Sequence, residues 1–392
     1  MNTPVKNKIS QSVQETPPSL IREMSQKAAT YSNVISLGIG EPDFHTPEAV
    51  IRASMEDALR GHTHYTPSRG DEELIDALIA YIKAEKGIEL EPNQLVVTHG
   101  GMGALIAALR AILDPEDEVL VFEPHFPSYR AQITLAGGRI CYVSTRFEDG
   151  FVPDPSRVEK AITPRTKAMI LNSPNNPTGA VIPPGVLDEL ANIAVERDLI
   201  VISDEVYDKL VFKGPHDAVF KRPGMEQRTI VINSFSKTFA MTGWRVGYCY
   251  GPNQLIDQVS KVATYFTSCP SSIGQRAALA ALRMDKEIFV KMANEFEERC
   301  RLVYERLKAI PGIRVRPSSG SFYLFPSVES LTPDAMKFAL ELLDKEQVVV
   351  IPGEAFGPSG KGCMRISCTV DRTLLSEAMD RLERFVRNYY QR

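Results

Sequence analysis

The chain has 392 residues, 43% hydrophobic and 24% charged, with a formal net charge of −4. That length exceeds one simple core and predicts about two domains. The slightly acidic balance gives no reason to expect a nucleic-acid partner, and no apolar run approaches the roughly 20 residues that cross a bilayer.

In chain order, Met1 to Pro18 is polar and lacks the apolar run of a secretory signal. Leu20 to Ala29 is amphipathic and predicts a short helix, and Val34 to Leu37 predicts a strand running into the turn-rich Gly38–Phe44. Thr46-Pro47-Glu48 reads as a helix start, with Thr46 as cap, Pro47 in the first helical position and a helix to about Arg60. Strands are predicted at 94–98, 118–122, 139–143, 167–171, 199–202, 229–232 and 246–250, with helices at 102–113 and 184–197. Short β-branched runs separated by helices indicate a largely parallel sheet covered on both faces. A charged amphipathic helix at 285–309 leads to strands near Ile313, Phe322, Val348 and Met364, alternating with helices from Pro333 and Arg372.

Polar residues gather where these strands end, the usual place for a ligand in an open α/β sheet. His99-Gly100-Gly101-Met102-Gly103 opens a helix, and glycines there let backbone N–H groups approach a phosphate. It fits neither a dinucleotide fingerprint nor a Walker loop, and it could equally be a tight strand-to-helix turn. Asn172-Ser-Pro-Asn-Asn-Pro-Thr-Gly179 is stiffened by its prolines and presents amides. Asp204 follows a buried apolar run, so it needs a partner: it either caps a helix or faces a cation. Asn233 to Tyr248 leaves the run Thr229-Ile-Val-Ile232 on small hydroxyls, presents Lys237 and then Arg245. Alone, that stretch is also compatible with a plain polar loop. Together, a phosphate cradle, a carboxylate, a phenol, a lysine and an arginine suit pyridoxal 5′-phosphate (PLP), which needs a Schiff-base lysine and an acid at its ring nitrogen.

Two stretches give the chain a family likeness. Ser234-x-Ser-Lys-x5-Gly-x-Arg-x-Gly247 and Asn172-x-Pro-x-Asn-Pro-Thr-Gly179 occur in order, with Gly40-Glu-Pro-Asp-Phe44 before them and Met364-Arg365-Ile366 after. The chain resembles the class I/II aminotransferases of PLP fold type I, in the bacterial aspartate/aromatic subgroup. The resemblance implies an α/β large domain over residues 46–285, and a smaller α+β domain made from residues 1–45 and 286–392. It implies catalysis by Lys237, Asp204 and Tyr207. Lys237 would carry the cofactor, Asp204 would pair with its ring nitrogen, and Tyr207 and Asn176 would meet its phenolic oxygen. Gly101, Met102, Ser234, Ser236 and Arg245 would hold the phosphate, and Phe126 would stack on the ring. Tyr65 would reach the partner's phosphate in a homodimer with shared sites. Arg365 and Gly40, with Phe126 and Asn176, would bind the substrate. The implied activity is ping-pong transfer of an amino group from an L-amino acid to a 2-oxo acid, with glutamate and 2-oxoglutarate as one pair.

The same motifs would serve a C–S lyase or, in another class, a PLP-binding regulator, although the segment before Pro17 is too short for a DNA-binding module. Substrate choice is less legible. Aspartate-preferring relatives often place Lys where Met102 stands, and Arg69 either reaches a neighbouring site or is a solvated loop residue. Phe126, Tyr129 and Phe322 either line a pocket or fill the core. His62 and His64 lack a third ligand in the sequence, so no metal is expected. The six scattered cysteines predict reduced thiols in a cytoplasmic protein.

Overall fold

The computed structural model describes residues 8–390, so the first seven residues of the polar Met1–Pro18 segment and the last two of the chain lie outside it. Twelve strands run in chain order: β1 (Ile35–Ser36), β2 (Leu95–Thr98), β3 (Glu118–Glu123), β4 (Arg139–Ser144), β5 (Thr166–Asn172), β6 (Ile200–Asp204), β7 (Thr229–Ser234), β8 (Gly247–Tyr250), β9 (Tyr323–Leu324), β10 (Val348–Val349), β11 (Ile351–Pro352) and β12 (Met364–Ser367). Seven form one sheet in the order β2-β8-β7-β6-β5-β3-β4. Only β8 runs against the others. The α/β class expected from the alternation of strands and helices is therefore observed.

Side chains along a strand alternate between faces, and here both faces are apolar. Val119, Val121, Ala168 and Ile170 pack on one side with the helices Gly100–Ile112 and Ser128–Ala136. Leu120, Phe122, Met169 and Leu171 pack on the other with the helix Pro184–Glu196. Apart from Ala168, burying each of these side chains contributes about 1.5–3 kcal/mol.

A separate apolar cluster joins Met24, Ile35 and Leu37 to residues from Cys300 through Val386. There β1 pairs with β10 and a three-stranded sheet runs β11-β12-β9, so the two ends of the chain meet. The helix Glu287–Lys308 serves both regions. Its Phe289, Met292 and Phe296 join the cluster beside the large sheet, while Cys300, Val303 and Leu307 join the terminal one.

Local signals mislead in several places. The first long helix begins at Glu48, and Pro47 occupies the cap position without a side-chain cap. Thr46 is drawn away by tertiary bonds, donating to the Ala240 carbonyl at 2.7 Å and accepting from Trp244 Nε1 at 3.0 Å. Near Ile313 there is an isolated Arg314–Ser327 bridge and no strand. The helix expected from Pro333 starts at Ala335, capped by Asp334. The helix Glu72–Lys86 is missing from the sequence expectation although its signals are strong. Asp71 caps it, Glu72 and Glu73 fill its first turn, and Gly87 closes it with a left-handed φ of 66°.

Candidate active site

The carboxyl ends of the parallel strands open on a cavity of about 270 Å³. The cofactor and catalytic residues implied by the family resemblance, and the substrate residues Gly40, Phe126, Asn176 and Arg365, all line it except Tyr65; the pocket candidates Arg69 and Phe322 do not. Residues more than 300 positions apart, Gly40 and Arg365 among them, share its wall because the terminal sheets pack over the end of the large one.

Asp204 ends β6 and is buried. It is no helix cap. Tyr129 Oη donates to its Oδ2 at 2.5 Å, and the Val206 N–H approaches Oδ1 at 3.4 Å. Neither partner is a cation, so burial raises the carboxyl from its ordinary 3.8 to about 6, with the Tyr129 bond pulling the other way. Asn172, at the end of β5, holds the strand in place by donating to the Asp204 carbonyl at 3.1 Å.

Lys237 stands on the one-turn helix Phe235–Thr238, which Ser234 caps from the end of β7. Its Nζ donates to the Gly40 carbonyl at 2.7 Å and lies 6.0 Å from the centre of the Phe322 ring. Burial, with the positive charges of Arg365 and Arg245 nearby, lowers this amine from its usual 10.5 to about 8, against an opposing pull from Glu41. Roughly a tenth of the amine is therefore neutral at pH 7, far more than an ordinary lysine would be.

Three elements converge to make an anion cradle. The helix Gly100–Ile112 points its unpaired first-turn N–H groups into the cavity at Gly101 and Met102. The Ser234 and Ser236 hydroxyls lie 2.9 Å apart. Arg245 adopts a left-handed φ of 57° and sits against Gly100. A Cβ on Gly100 would come within 2.8 Å of the Arg245 guanidinium, and Gly100 itself has φ of 67°, so glycine is required there.

Arg365, on β12, is 2% exposed. Its guanidinium donates to Asn176 Oδ1 at 3.0 Å and to the Gly38 carbonyl at 2.6 Å, and it lies over the Tyr323 and Phe356 rings at 4.6 and 4.9 Å. Among the described residues no carboxylate faces it, Nε is buried without a partner, and burial lowers its pKa. A buried arginine lacking an anion is an acceptor site for one. Because Asn176 spends its oxygen on Arg365, its amide nitrogen is the donor left for the cavity. Tyr207 and Tyr323 share a hydrogen bond of 3.0 Å, and the Tyr323 hydroxyl occupies the space a Cβ on Gly40 would need.

Two residues stand elsewhere. Tyr65 is 89% exposed on the surface of the single chain. Within the single chain, Arg69 is paired to Asp257 and donates to the Asn93 carbonyl at 3.0 Å. Phe126 lines the cavity and meets Tyr129 edge-on, whereas Phe322 is fully buried. Tyr323, Asn172 and Ile21 also line the wall. Asn172 opens the Asn172–Gly179 motif, but the sequence gives it no role of its own, and nothing local marks Tyr323 or Ile21.

A family model described as aminotransferase class I and II matches residues 32–382. The aspartate/prephenate aminotransferase of Thermus thermophilus is 41% identical over 385 residues, which cover 96% of this chain and 98% of that protein. The aromatic-amino-acid aminotransferase 2 of Thermococcus litoralis is 39% identical over 374 residues, covering 94% and 96%. Among solved structures, the aspartate aminotransferase from Thermus thermophilus with maleate superposes with a TM-score of 0.92 at 39% identity, over 98% of this chain and 100% of that one. The buried lysine, carboxylate and arginine thus lie in a fold shared along its length with these enzymes, and the chain belongs to the class I and II aminotransferase family.

Proposed function

We propose that this chain is a PLP-dependent aminotransferase that moves an amino group from an L-amino acid to a 2-oxo acid, with glutamate and 2-oxoglutarate as one pair. The observation that carries this reading is the meeting, in one cavity, of a lysine lowered to about 8, an aspartate raised to about 6 and a buried arginine with no carboxylate partner. Each is an uncompensated group that a ligand would satisfy.

The residues present fit the cofactor. Asp204 is a buried acid awaiting a protonated ring nitrogen, and the Asn176 amide and Tyr207 hydroxyl offer donors for a phenolic oxygen. The helix N-terminus, Ser234, Ser236 and Arg245 would take the phosphate, Phe126 would cover the ring, and Lys237 would bond the aldehyde. When bound, the cofactor supplies an electrophilic carbon and an electron-withdrawing ring.

The chain's own groups do the rest. Arg365 pairs with the α-carboxylate through two parallel hydrogen bonds, fixing the amino acid so that its Cα–H faces Lys237. Lys237 Nζ, in the neutral form that its lowered pKa makes more accessible, takes the Cα proton as base and gives one back as acid. Asp204, kept from its usual ionisation by burial, regains its charge when a cation faces it and holds that cation protonated. Met102, Phe126 and Ile21 make the remaining wall mostly apolar. The cavity's cations among the described residues are Lys237, Arg245 and Arg365, each already given a role. Apolar or aromatic amino acids are therefore the proposed donors ahead of aspartate, and the glutamate/2-oxoglutarate pair rests on the family resemblance alone.

We also infer a homodimer in which Tyr65 of each chain completes the other's phosphate site. Ile51, Met55 and Leu59, spaced along one face of the helix Glu48–Leu59, are exposed together with Tyr65, Tyr265 and Phe266. An exposed apolar set of this kind suits a protein interface.

The test mixes the PLP-loaded enzyme with single amino acids and follows conversion to the pyridoxamine form. Phenylalanine, leucine or methionine should convert the enzyme faster than aspartate. Aspartate converting fastest would refute the side-chain assignment, and conversion by no amino acid would refute transamination. Release of pyruvate and ammonia from cystathionine without a 2-oxo acid would favour the lyase, a reading to which the aminotransferase names of the relatives lend no support.

A further inference from the structure

Behind the cavity wall lies a second set of buried charges that takes no part in the chemistry above. Lys86 ends the helix Glu72–Lys86, and its side chain is 7% exposed. Its Nζ lies 2.6 Å from Glu205 Oε2 and 2.6 Å from Asp208 Oδ2, carboxylates that are themselves 1% and 3% exposed. His216 stands 3.8 Å from Glu205, with its other ring nitrogen 3.0 Å from the Ser173 carbonyl.

Each carboxylate is tied onward to a different half of the cavity. Glu205 Oε1 accepts from Ser203 Oγ at 2.8 Å, and the Glu205 N–H donates to the Ile232 carbonyl at 2.9 Å. Asp204 lies between Ser203 and Glu205, so its backbone is held on both sides. Asp208 Oδ2 accepts from Asn233 Nδ2 at 3.0 Å, and Asn233 Oδ1 accepts the Ser234 N–H at 2.7 Å. One path fixes the turn carrying Asp204 and Tyr207. The other fixes the turn carrying Ser234, Ser236 and Lys237.

We propose that Lys86 is a positioning residue whose ammonium clamps Glu205 and Asp208 of one turn and, through the Asp208–Asn233 bond, couples that turn to the one carrying Lys237, setting from outside the cavity the spacing between the groups that face the cofactor ring and those that face its phosphate and aldehyde. The inference rests on the cofactor-binding reading given above. Stability alone does not explain such a cluster. Removing charges from water carries a penalty of several kcal/mol per ion, and well-packed apolar side chains often replace a buried ion pair without loss. What three charges provide here is a fixed geometry between two backbones. Burial opposes the Lys86 charge, but Asp208 and Glu205 outweigh it and hold the amine well above the ordinary lysine range. Asp208 is likewise held below the usual carboxylate range: burial opposes its ionisation, but Lys86, His216 and Lys209 outweigh it.

The test compares the PLP-loaded chain with Lys86→Met and with Lys86→Met/Asp208→Asn. Lys86→Met leaves both Glu205 and Asp208 without their cation; asparagine at 208 keeps an acceptor for Asn233 and returns the cluster to the net charge it has in the unaltered chain. The readouts are the cofactor dissociation constant, the pH midpoint of the visible absorbance change, the thermal midpoint, and kcat and KM separately. Lys86→Met should lose thermal stability, and the double variant should regain most of it. In both, cofactor affinity should stay about tenfold weaker, the scale seen when a group that orients a ligand-holding residue is removed. The absorbance midpoint should shift and kcat should fall, with KM for the amino acid, set by Arg365, unchanged. Recovery of affinity and midpoint together with stability in the double variant would overturn the inference. So would Lys86→Met binding the cofactor like the unaltered chain, or failure of both variants to fold, since each makes Lys86 a stability residue only. An unaltered chain that takes up no cofactor would sink the functional reading as well.

Discussion

Two sets of buried charge lie a few residues apart at the ends of β6 and β7, and they are built in opposite ways. In the cluster behind the wall, Lys86 meets Glu205 and Asp208 at 2.6 Å, and the partners hold Lys86 and Asp208 in their charged forms in spite of burial. In the cavity, Asp204, Lys237 and Arg365 meet only neutral groups: a phenol, a carbonyl, an amide. There burial dominates, raising Asp204 and lowering both cations. Residue types and depth are similar, so the difference is pairing. Paired charges set geometry, whereas unpaired ones are an incomplete circuit that a ligand closes.

The largest effect that would sharpen this contrast is at Lys237. Lys237→Ala should abolish the visible absorbance of the loaded enzyme and lower turnover by at least about 10⁴-fold, beyond what losing one general base explains. Retention of either would return Lys237 to the paired, structural class. Cofactor capture by the unaltered chain needs the neutral amine, so its rate should climb with pH and level off above about 8. A climb continuing to the ordinary lysine range would mean the amine is not desolvated.

Arg365→Ala comes next. It should raise KM for the amino acid several hundredfold, about 3–4 kcal/mol, the scale for truncating one side of a buried charged contact. Cofactor affinity should change far less, because the anion cradle is built from other elements. Equal loss of both would place Arg365 with the structural charges.

Much of the cavity was legible because its members sit in short fixed spacings. Asp204 ends β6, Asn176 and Lys237 come within a few residues of the ends of β5 and β7, and Arg245 lies just before β8; strand ends are readable from apolar runs. Their partners were not legible, because those contacts are long-range and carry no periodicity. Tyr129 reaches Asp204 across 75 positions, Tyr323 reaches Tyr207 across 116, and Lys86 reaches Glu205 across 119. Lys86 was hidden twice over, since its helix went unassigned although its capping residues and its apolar positions 74, 75, 78 and 82 announce it. Arg69 shows the converse. Its loop position next to Tyr65 leaves its role open in sequence, and within the chain a carboxylate on a distant helix, Asp257, pairs with it, a contact no local pattern marks.

The smallest predicted effect has a sign that only an unpaired charge can produce. With no cofactor bound, Asp204 has a folded pKa of about 6 against an ordinary 3.8. Between those values the folded chain keeps a proton that the unfolded chain has released. The empty fold is therefore at its best below the lower value and loses stability as pH rises through the higher one, by at most about 3 kcal/mol. Asp204→Asn cannot ionise and still accepts from Tyr129. Urea unfolding of the cofactor-free chains should show Asp204→Asn more stable than the unaltered chain at about pH 8, the gap closing toward pH 4. The same substitution should slow turnover of the loaded enzyme, because the ring nitrogen loses its acid. A variant equally destabilised at both pH values would mean that Asp204 already has a cationic partner in the empty cavity. The cavity and the Lys86 cluster would then be the same kind of construction.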